Sequence, residues 1–180
     1  KVKVENGAII IDEPIDGEVT WVIDTVEGTP GATVEVPVYV NGENTVEVAG
    51  ATFEINSEAG FNKVNSNSAA YGNAPITNNA NTNEFAFAQA DGKGSAAADK
   101  AVIMVLTYDV PAGATGTIPV EWANVEVSDT NGNIITDKVK VVNGAIVKYK
   151  DQIYGDFLRE CFATAYGLWA LIPDEYFDDC

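Results

Sequence analysis

The segment TPGATVEVPVYVNG, residues 29–42, decides the fold class of this 180-residue chain. Its centre alternates polar and apolar side chains from Thr33 to Val36, as a strand does when only one of its faces is buried. Pro30-Gly31 precedes this run and Asn41-Gly42 follows it, and both dipeptides favour turns. The segment therefore predicts one strand between two turns.

The same succession of strand and turn extends from Val19 to Tyr149, and no amphipathic helix pattern interrupts it. Six further runs are rich in Val, Ile, Thr and aromatic residues: VTWVIDTV, VEVAGATFEI, NEFAFAQA, AVIMVLTYDV, GTIPVEWANVEV and KVKVVNGAIV. Many short strands at this spacing predict an all-β antiparallel sandwich or jelly roll. The polar stretch at residues 62–83 predicts either a solvated loop with one or two short strands or an exposed edge used for recognition.

The charge and composition exclude several classes of function. With 27 acidic and 10 basic residues the net charge is −17, and such a surface repels phosphate backbones and anionic lipids. We therefore expect no nucleic-acid partner and no membrane partner. The chain has no histidine, the commonest general base and metal ligand, and no recognisable catalytic constellation, so we expect no enzymatic activity.

One acidic stretch has part of the spacing of a calcium loop. Asp129, Asn131, Asn133 and Asp137 supply oxygen atoms at alternate positions, but Lys140 stands where a bidentate glutamate is needed. A hairpin turn at Asn131-Gly132 accounts for the same residues, so we expect no metal in this chain.

The chain carries one ten-residue motif twice. KVKVENGAII at residues 1–10 and KVKVVNGAIV at residues 138–147 are identical at eight of ten positions. The second copy closes the β region and predicts a last strand carrying an Asn-Gly turn or bulge. Residues 1–17 are then expected to be the last strand of a preceding module and a linker, within a tandem array. Two similar strands within one fold would give the same match.

In their order and spacing, these segments resemble a cohesin module of a bacterial cellulosomal scaffoldin, of the Ruminococcus-like kind. VIDTVEGTPGATVEVPVYV is similar to the opening strands, VAGATFEINSEAG to the third and FAFAQADGKG to the sixth. MVLTYDVPAGATGTIPVEWANVEVSDTNGN is similar to the seventh and eighth strands. The likeness covers residues 18–149 and implies a nine-stranded antiparallel β-sandwich with flattened jelly-roll topology.

The resemblance also implies a function. Cohesins are non-catalytic modules of extracellular scaffoldins, secreted or attached to the cell surface, and they bind dockerins to assemble polysaccharide-degrading complexes. Dockerins are small helical modules on enzymes or other scaffoldins. Calcium is therefore expected on the partner and no cofactor in this chain, with further cohesin modules as tandem neighbours.

The pleat of two strands predicts which side chains face a partner. Phe85 and Phe87 alternate with Ala86 and Ala88, and burying each aromatic ring contributes roughly 1.5–3 kcal/mol, so the alanines should face outward. They would form a flat surface on which a helix could lie, or else an ordinary solvent face. The same alternation buries Phe53 and exposes its polar neighbours.

The resemblance implies that a platform built from the third, fifth, sixth and eighth strands contacts the dockerin. Many cohesins carry Asn and Asp where Gly50 and Thr52 stand, so the specificity should differ here. Tyr71 is expected to present its ring at the platform edge. The predicted partner-binding residues are Gly50, Thr52, Glu54, Tyr71, Ala86, Ala88, Gln89, Gly92 and Ile134.

A carbohydrate-binding β-sandwich module is the alternative function. Trp21, Trp122 and the tyrosines could stack on sugar rings. The apolar neighbours of both tryptophans in the sequence favour packing in the core instead.

Residues 150–180 differ in composition and fall outside the resemblance. Apolar residues from Ile153 to Trp169 recur at intervals of three or four, which predicts a helix that ends before Pro173. Cys161 and Cys180 are the two cysteines of the chain. We expect either a disulfide between them, a pairing with another chain, or two free thiols.

Overall fold

The computed structural model describes residues 18–42, 45–79 and 82–148, which form a sandwich of two β-sheets. It contains twelve strands and a 3₁₀ turn at Thr136–Lys138. The strands are β1 (Val19–Ile23), β2 (Thr25–Gly28), β3 (Thr33–Asn41), β4 (Gly50–Ser57), β5 (Gly60–Val64), β6 (Asn67–Ser68), β7 (Ala74–Asn79), β8 (Glu84–Ala88), β9 (Val102–Asp109), β10 (Thr117–Ser128), β11 (Val139–Val142) and β12 (Gly144–Lys148).

The two sheets differ in size. The five-stranded sheet has the order β11-β1-β3-β9-β5, and the seven-stranded sheet has the order β2-β12-β10-β4-β8-β7-β6. The two-sheet, all-β prediction is confirmed. The sheets are not wholly antiparallel, because β1 pairs with β11 and β2 pairs with β12 in parallel.

The chain crosses from one sheet to the other twice, once near the start of the domain and once near its end. The chain leaves β1 and enters β2 at Asp24, and it leaves β11 and enters β12 at Asn143. At this crossing the two chain segments touch, since a Cβ built on Gly144 would lie 2.6 Å from the carbonyl oxygen of Ile23. The Asn143 side-chain oxygen accepts a hydrogen bond from the backbone N–H of Trp122 at 3.0 Å. The predicted Asn-Gly turn or bulge is therefore wrong, and the dipeptide marks a crossing between sheets.

The strand count differs from the predicted nine for two reasons. Each of the runs VTWVIDTV and KVKVVNGAIV divides into two strands at its crossing. The polar segment after Ser57 forms three short strands, β5 to β7, rather than a loop with one or two. Its asparagines are compatible with strand edges, where side chains and backbone groups remain accessible to solvent.

The core between the sheets is aromatic at its centre. Trp21 is fully buried, and its ring centroid lies within 6.2 Å of those of four other rings, Phe53, Tyr71, Phe87 and Trp122. Its indole nitrogen donates a hydrogen bond to the Tyr71 hydroxyl at 2.7 Å. The predicted core packing of Trp21 is confirmed, and Trp122 packs half-buried against the same cluster.

Tyr71 does not lie at a platform edge, and that prediction is wrong. Its side chain is 0% exposed, and its ring stacks on Phe87 with a centroid separation of 5.2 Å. The hydroxyl oxygen accepts the indole hydrogen bond of Trp21, which allows a polar atom to be buried without losing a partner. Burial raises the pKa of the Tyr71 hydroxyl well above its ordinary value, so this group stays neutral.

Several predictions lie outside the described residues. These are the strand and linker at residues 1–17, the helical tail at residues 150–180, and the pairing of Cys161 with Cys180. Within the described ranges, no helix is both long enough and apolar enough to cross a membrane.

Candidate partner-binding face

The outward face of β10, β4, β8 and β7 forms a continuous surface, which we call the platform. Cross-strand pairing aligns its side chains in three rows that run across the four strands. The strands place successive rows two residues, or about 7 Å, apart. The character of the side chains changes from row to row.

The middle row is flat. Thr52 on β4 pairs with Ala86 on β8, and these are flanked by Glu126 on β10 and Thr77 on β7. Ala86 points outward but is half-buried, since it carries only a methyl group between the paired Thr52 and Thr77. The middle of the platform therefore has low relief.

One flanking row, which we call the apolar row, is small and partly hydrophobic. Gly50 on β4 lies between Ala88 on β8 and Ser128 on β10, and Ser128 in turn forms a β-bridge with Ile134. Ile134 is 57% exposed, the more exposed of the two large apolar side chains that lie open to solvent among the described residues. Side chains paired across an antiparallel bridge point to the same face. The apolar row thus ends in an exposed hydrophobic residue.

The opposite row, which we call the acidic row, carries carboxylates. Glu54 on β4 pairs directly with Glu84 on β8, and Glu84 pairs with Asn79 on β7. Asn124 of β10 donates a hydrogen bond from its side-chain nitrogen to Oε1 of Glu54 at 2.8 Å. Two shallow depressions of about 410 and 460 Å³ lie side by side on the platform, and both are bordered by Thr52, Thr77 and Ala86.

The turn that follows β10 holds Ile134 in place. Oδ1 of Asp129 accepts hydrogen bonds from the backbone N–H groups of Asn131 and Asn133, at 2.8 and 2.9 Å. Oδ2 accepts a third from the side-chain nitrogen of Asn133 at 2.9 Å. The carboxylate therefore organises the turn. Across the described part of the chain, no group of three or more Cys, Asp and Glu side chains could hold a metal ion.

These hydrogen bonds should make the stability of the turn depend on pH. They lower the pKa of the Asp129 carboxyl below its ordinary value of 3.8, the side chain and backbone of Asn133 contributing most. A depressed pKa means that the carboxylate stabilises the folded turn above about pH 4 and that this contribution is lost as the pH falls through the folded-state pKa. NMR titration of the side-chain carboxyl carbon should give a midpoint below 3.8. In Asn133→Ala that midpoint should return towards 3.8, and an unchanged midpoint would contradict the assignment.

Gln89 and Gly92 lie just beyond the platform, where β8 ends. The Gln89 side-chain nitrogen donates hydrogen bonds to the Val48 carbonyl oxygen and to the Ser95 hydroxyl, both at 2.8 Å. Gly92 adopts a left-handed backbone conformation with a φ of 63°, which favours glycine. Gln89 thus ties the following loop to the sheet beside Ala88.

Most of the predicted partner-binding residues lie together in this structure. Gly50, Thr52, Glu54, Ala86, Ala88 and Ile134 share the platform, Gln89 and Gly92 border it, and Tyr71 is buried beneath it.

The sequence analysis missed Glu126, Thr77 and Asn124. Asn124 lies within a β-bulge of β10 and Glu126 follows that bulge, which breaks the alternation used to predict which face a side chain occupies. Thr77 belongs to β7, in the segment expected to be mainly loop. Its alternation with Ile76, which packs half-buried against the core, was the available signal.

The fold and this face are those of a module that binds another protein through one side of a β-sandwich. The sequence profile of the cohesin domain family matches residues 19–147, and the chain therefore belongs to the cohesin family. No curated protein sequence matches the chain significantly.

Three solved cohesins illustrate the structural similarity. The third ScaB cohesin of R. flavefaciens, solved in complex with a group 1 dockerin, is 21% identical with a TM-score of 0.61, over 74% of this chain and 96% of that one. The sixth cohesin of scaffoldin B from Acetivibrio cellulolyticus, solved with a mutant Cel5 dockerin, is 20% identical with a TM-score of 0.60, over 73% and 99%. A non-cellulosomal cohesin from the archaeon Archaeoglobus fulgidus is 16% identical with a TM-score of 0.57, over 78% and 97%. At these identities the likeness concerns the fold.

Proposed function

We propose that this chain is a non-catalytic scaffoldin module whose platform binds a dockerin, so that enzymes or other scaffoldins are gathered into extracellular polysaccharide-degrading complexes. The observation that carries the proposal is the low relief of the platform beside an exposed Ile134. Solved cohesins of similar fold, from R. flavefaciens and Acetivibrio cellulolyticus, are in complexes with dockerins, which supports the same role here.

The shape of the platform suits a helix. Ala86, Ala88 and Gly50 project little or no side chain, so a helix backbone can approach the sheet closely along them. Ile134 offers an apolar contact at the border of the platform, and a partner that covers this side chain removes exposed apolar surface from water. A small ligand would need a concave pocket that buries most of its surface, and the two depressions here are shallow.

The polar contacts of the platform should be particular to this module. Gly50 and Thr52 stand where many cohesins carry Asn and Asp, and neither can supply a carboxylate. The nearby carboxylates come instead from Glu126 on β10 and Glu54 on β4. We propose that dockerins whose usual cohesin partners carry this Asn and Asp bind the present module weakly.

The remaining parts of the proposal concern the surroundings of the module. We propose that the dockerin binds calcium and that this chain binds no cofactor. Residues 1–17 are proposed to be the last strand of a preceding cohesin and a linker, because they repeat residues 138–147 at eight of the first ten positions.

Residues 150–180 are proposed to carry a helix, with Cys161 and Cys180 paired. Thiol titration of the denatured, unreduced protein tests the pairing, since two reactive thiols per chain would rule it out.

Capture of dockerins by the immobilised chain tests the function. A panel of purified dockerins should include at least one that binds with calcium and is released by a chelator, because dockerins are expected to need calcium to fold. Failure of every dockerin under both conditions would overturn the proposal.

Retardation in a gel containing xylan or β-glucan would favour a sugar-binding module instead. Burial of Trp21, Tyr71 and Tyr108 removes three candidate stacking rings from the surface. Turnover of those polysaccharides by the pure chain would contradict a non-catalytic role.

A further inference from the structure

The outer face of the five-stranded sheet, on the side of the sandwich opposite the platform, is apolar at its centre. The alternation that buries Trp21 in the core points Val22 the other way, and Val22 is 5% exposed although it does not belong to the core between the sheets. Val22 pairs with Tyr39 on β3 and with Val142 on β11. We call this surface the rear face, and its apolar members are Val22, Pro37, Tyr39, Val102, Val105 and Val142.

The rear face is a more continuous apolar surface than the platform. Apart from Val22, its apolar members are half-buried, so a part of each side chain remains open to solvent. The apolar side chains of the platform are instead the small Ala86 and Ala88, with Ile134 at the border. A contiguous apolar surface of this kind marks a place that another element or another protein covers.

One end of the rear face is basic. Lys140 pairs with Thr20, and Thr20 pairs with Asn41 at the end of β3. The Lys100 side-chain nitrogen donates a hydrogen bond to Oδ1 of the same Asn41 at 2.9 Å. Two lysines therefore lie together where β3 ends.

The charges of this end differ from those of the platform. Its carboxylates already have partners, because Glu18 forms an ion pair with Lys140 and Asp99 accepts a hydrogen bond from the backbone N–H of Gly42. The platform carries three glutamates, and among the described residues no lysine belongs to its three rows. An acidic segment is therefore attracted to the basic end of the rear face and repelled by the platform.

The tail of the chain matches the rear face in length and in charge. A helix over residues 153–171 would be about 28 Å long, and β3, the central strand of this sheet, has nine residues and a length of about 30 Å. The apolar residues from Ile153 to Trp169 give such a helix one apolar stripe. Four of the six residues after Pro173 are acidic, namely Asp174, Glu175, Asp178 and Asp179.

The chain leaves the described domain at the end of the sandwich where β3 begins. Lys148, the last residue of β12, pairs with Gly28, and residues 29–32 carry the chain from Gly28 to Thr33 at the start of β3. Residues 149–152 have the same number of residues and span up to roughly 13 Å, against about 10 Å between packed sheets. A helix that begins there and follows β3 brings its acidic end to Lys100 and Lys140.

We propose that residues 153–171 form a helix that covers the rear face of their own chain, parallel to β3, with the acidic residues after Pro173 beside Lys100 and Lys140. The inference uses the helix proposed above for the tail and goes beyond dockerin binding, because it leaves the platform free. Burial of the apolar stripe supplies the stability that a helix of this length lacks in water. The short connection favours the tail of the same chain over that of a second copy.

Hydrogen exchange of the full chain, followed by mass spectrometry, tests the inference in the absence of any dockerin. In the wild type the amides of residues 153–171 should be protected, and dilution should not change their protection. Val105→Glu places a charge at the centre of the rear face and should make these amides exchange about tenfold or more faster. Thr77→Glu, which places the same charge on the platform, is the matched control and should leave the exchange unchanged.

A charge reversal keeps the test valid if Val105→Glu does not fold. Lys100→Glu changes one exposed side chain at the basic end and should accelerate exchange of the tail roughly two- to fivefold, as loss of a surface ion pair does. Lys93→Glu makes the same change in the loop that follows β8 and should have no effect.

Unprotected tail amides in the wild type would overturn the inference, and so would protection that survives Val105→Glu in a chain with the wild-type circular dichroism spectrum. Protection that Thr77→Glu removes would place the tail on the platform, and protection that is lost on dilution would place it on a second copy, so either result also overturns the inference. The proposed function is tested separately, since none of these measurements involves a dockerin.

Discussion

Replacing Ala88 with arginine should abolish dockerin binding while the sandwich stays folded. Ala88 is exposed in the apolar row and pairs with Gly50, so a long charged side chain would stand between the sheet and any helix lying on it. A substitution that prevents close packing at an energetically important contact typically costs about 2 kcal/mol or more, which is about thirtyfold or more in affinity. Calorimetric titration of the variant with a captured dockerin should show no measurable heat of binding.

A matched substitution separates loss of the site from general effects of an added charge. Ala112 is also exposed but belongs to the turn between β9 and β10, outside the platform, so Ala112→Arg should bind as the wild type does. Both variants should keep the wild-type circular dichroism spectrum and thermal midpoint. Normal affinity of a folded Ala88→Arg protein would place the binding site on another surface.

Replacing Gly144 with alanine should cost about 3 kcal/mol of unfolding free energy, the upper end of the range for overpacking a core. Its Cβ would collide with the carbonyl oxygens of both Ile23 and Asp24, and backbone atoms cannot turn aside as the end of a side chain can. The crossing between the sheets would have to open. Urea denaturation followed by tryptophan fluorescence should show a lower midpoint with an unchanged slope.

Gly113→Ala is the control for this experiment. A Cβ at Gly113 would have no atom within 4 Å, so the variant should keep or slightly raise the wild-type stability, by up to about 1 kcal/mol. Equal midpoints for Gly144→Ala and Gly113→Ala would show that the crossing can widen without cost. The close approach at Gly144 also gives a physical reason for the NGA motif near the end of the domain.

The alternation of side chains was sufficient to predict much of this fold. Phe85 and Phe87 had to be buried because of their apolar area, and this fixed Ala86 and Ala88 on the outer face without any knowledge of the neighbouring strands. The same reasoning placed Thr52 and Glu54 on the outer face correctly, since β4 pairs with β8 without a register shift from Gly50 to Glu54. The local pattern therefore predicts on which face of the sheet a side chain lies, wherever a strand keeps its period of two.

The features that escaped prediction depend on contacts between distant residues. Tyr71 follows a polar loop and could have been exposed, but the indole nitrogen of Trp21, fifty positions away, gives its hydroxyl a buried partner. The bulge at Asn124 shifts the register of β10 and has no clear signature in the sequence. The crossing at Asn143 appears in the sequence as an ordinary turn, because Asn-Gly is common in turns and only the proximity of Ile23 shows otherwise.

The parallel pairing of the first and last strands gives the module a defined response to mechanical load. Val19 pairs with Val139 in one sheet and Gly28 pairs with Lys148 in the other, so the first segment (β1 and β2) runs parallel to the last segment (β11 and β12), and the described domain is entered and left at opposite ends of this pairing. Tension applied between residues 18 and 148 pulls the two neighbouring strands in opposite directions along their length. The eight residue pairs that join them are then loaded together in shear, instead of being unzipped one after another.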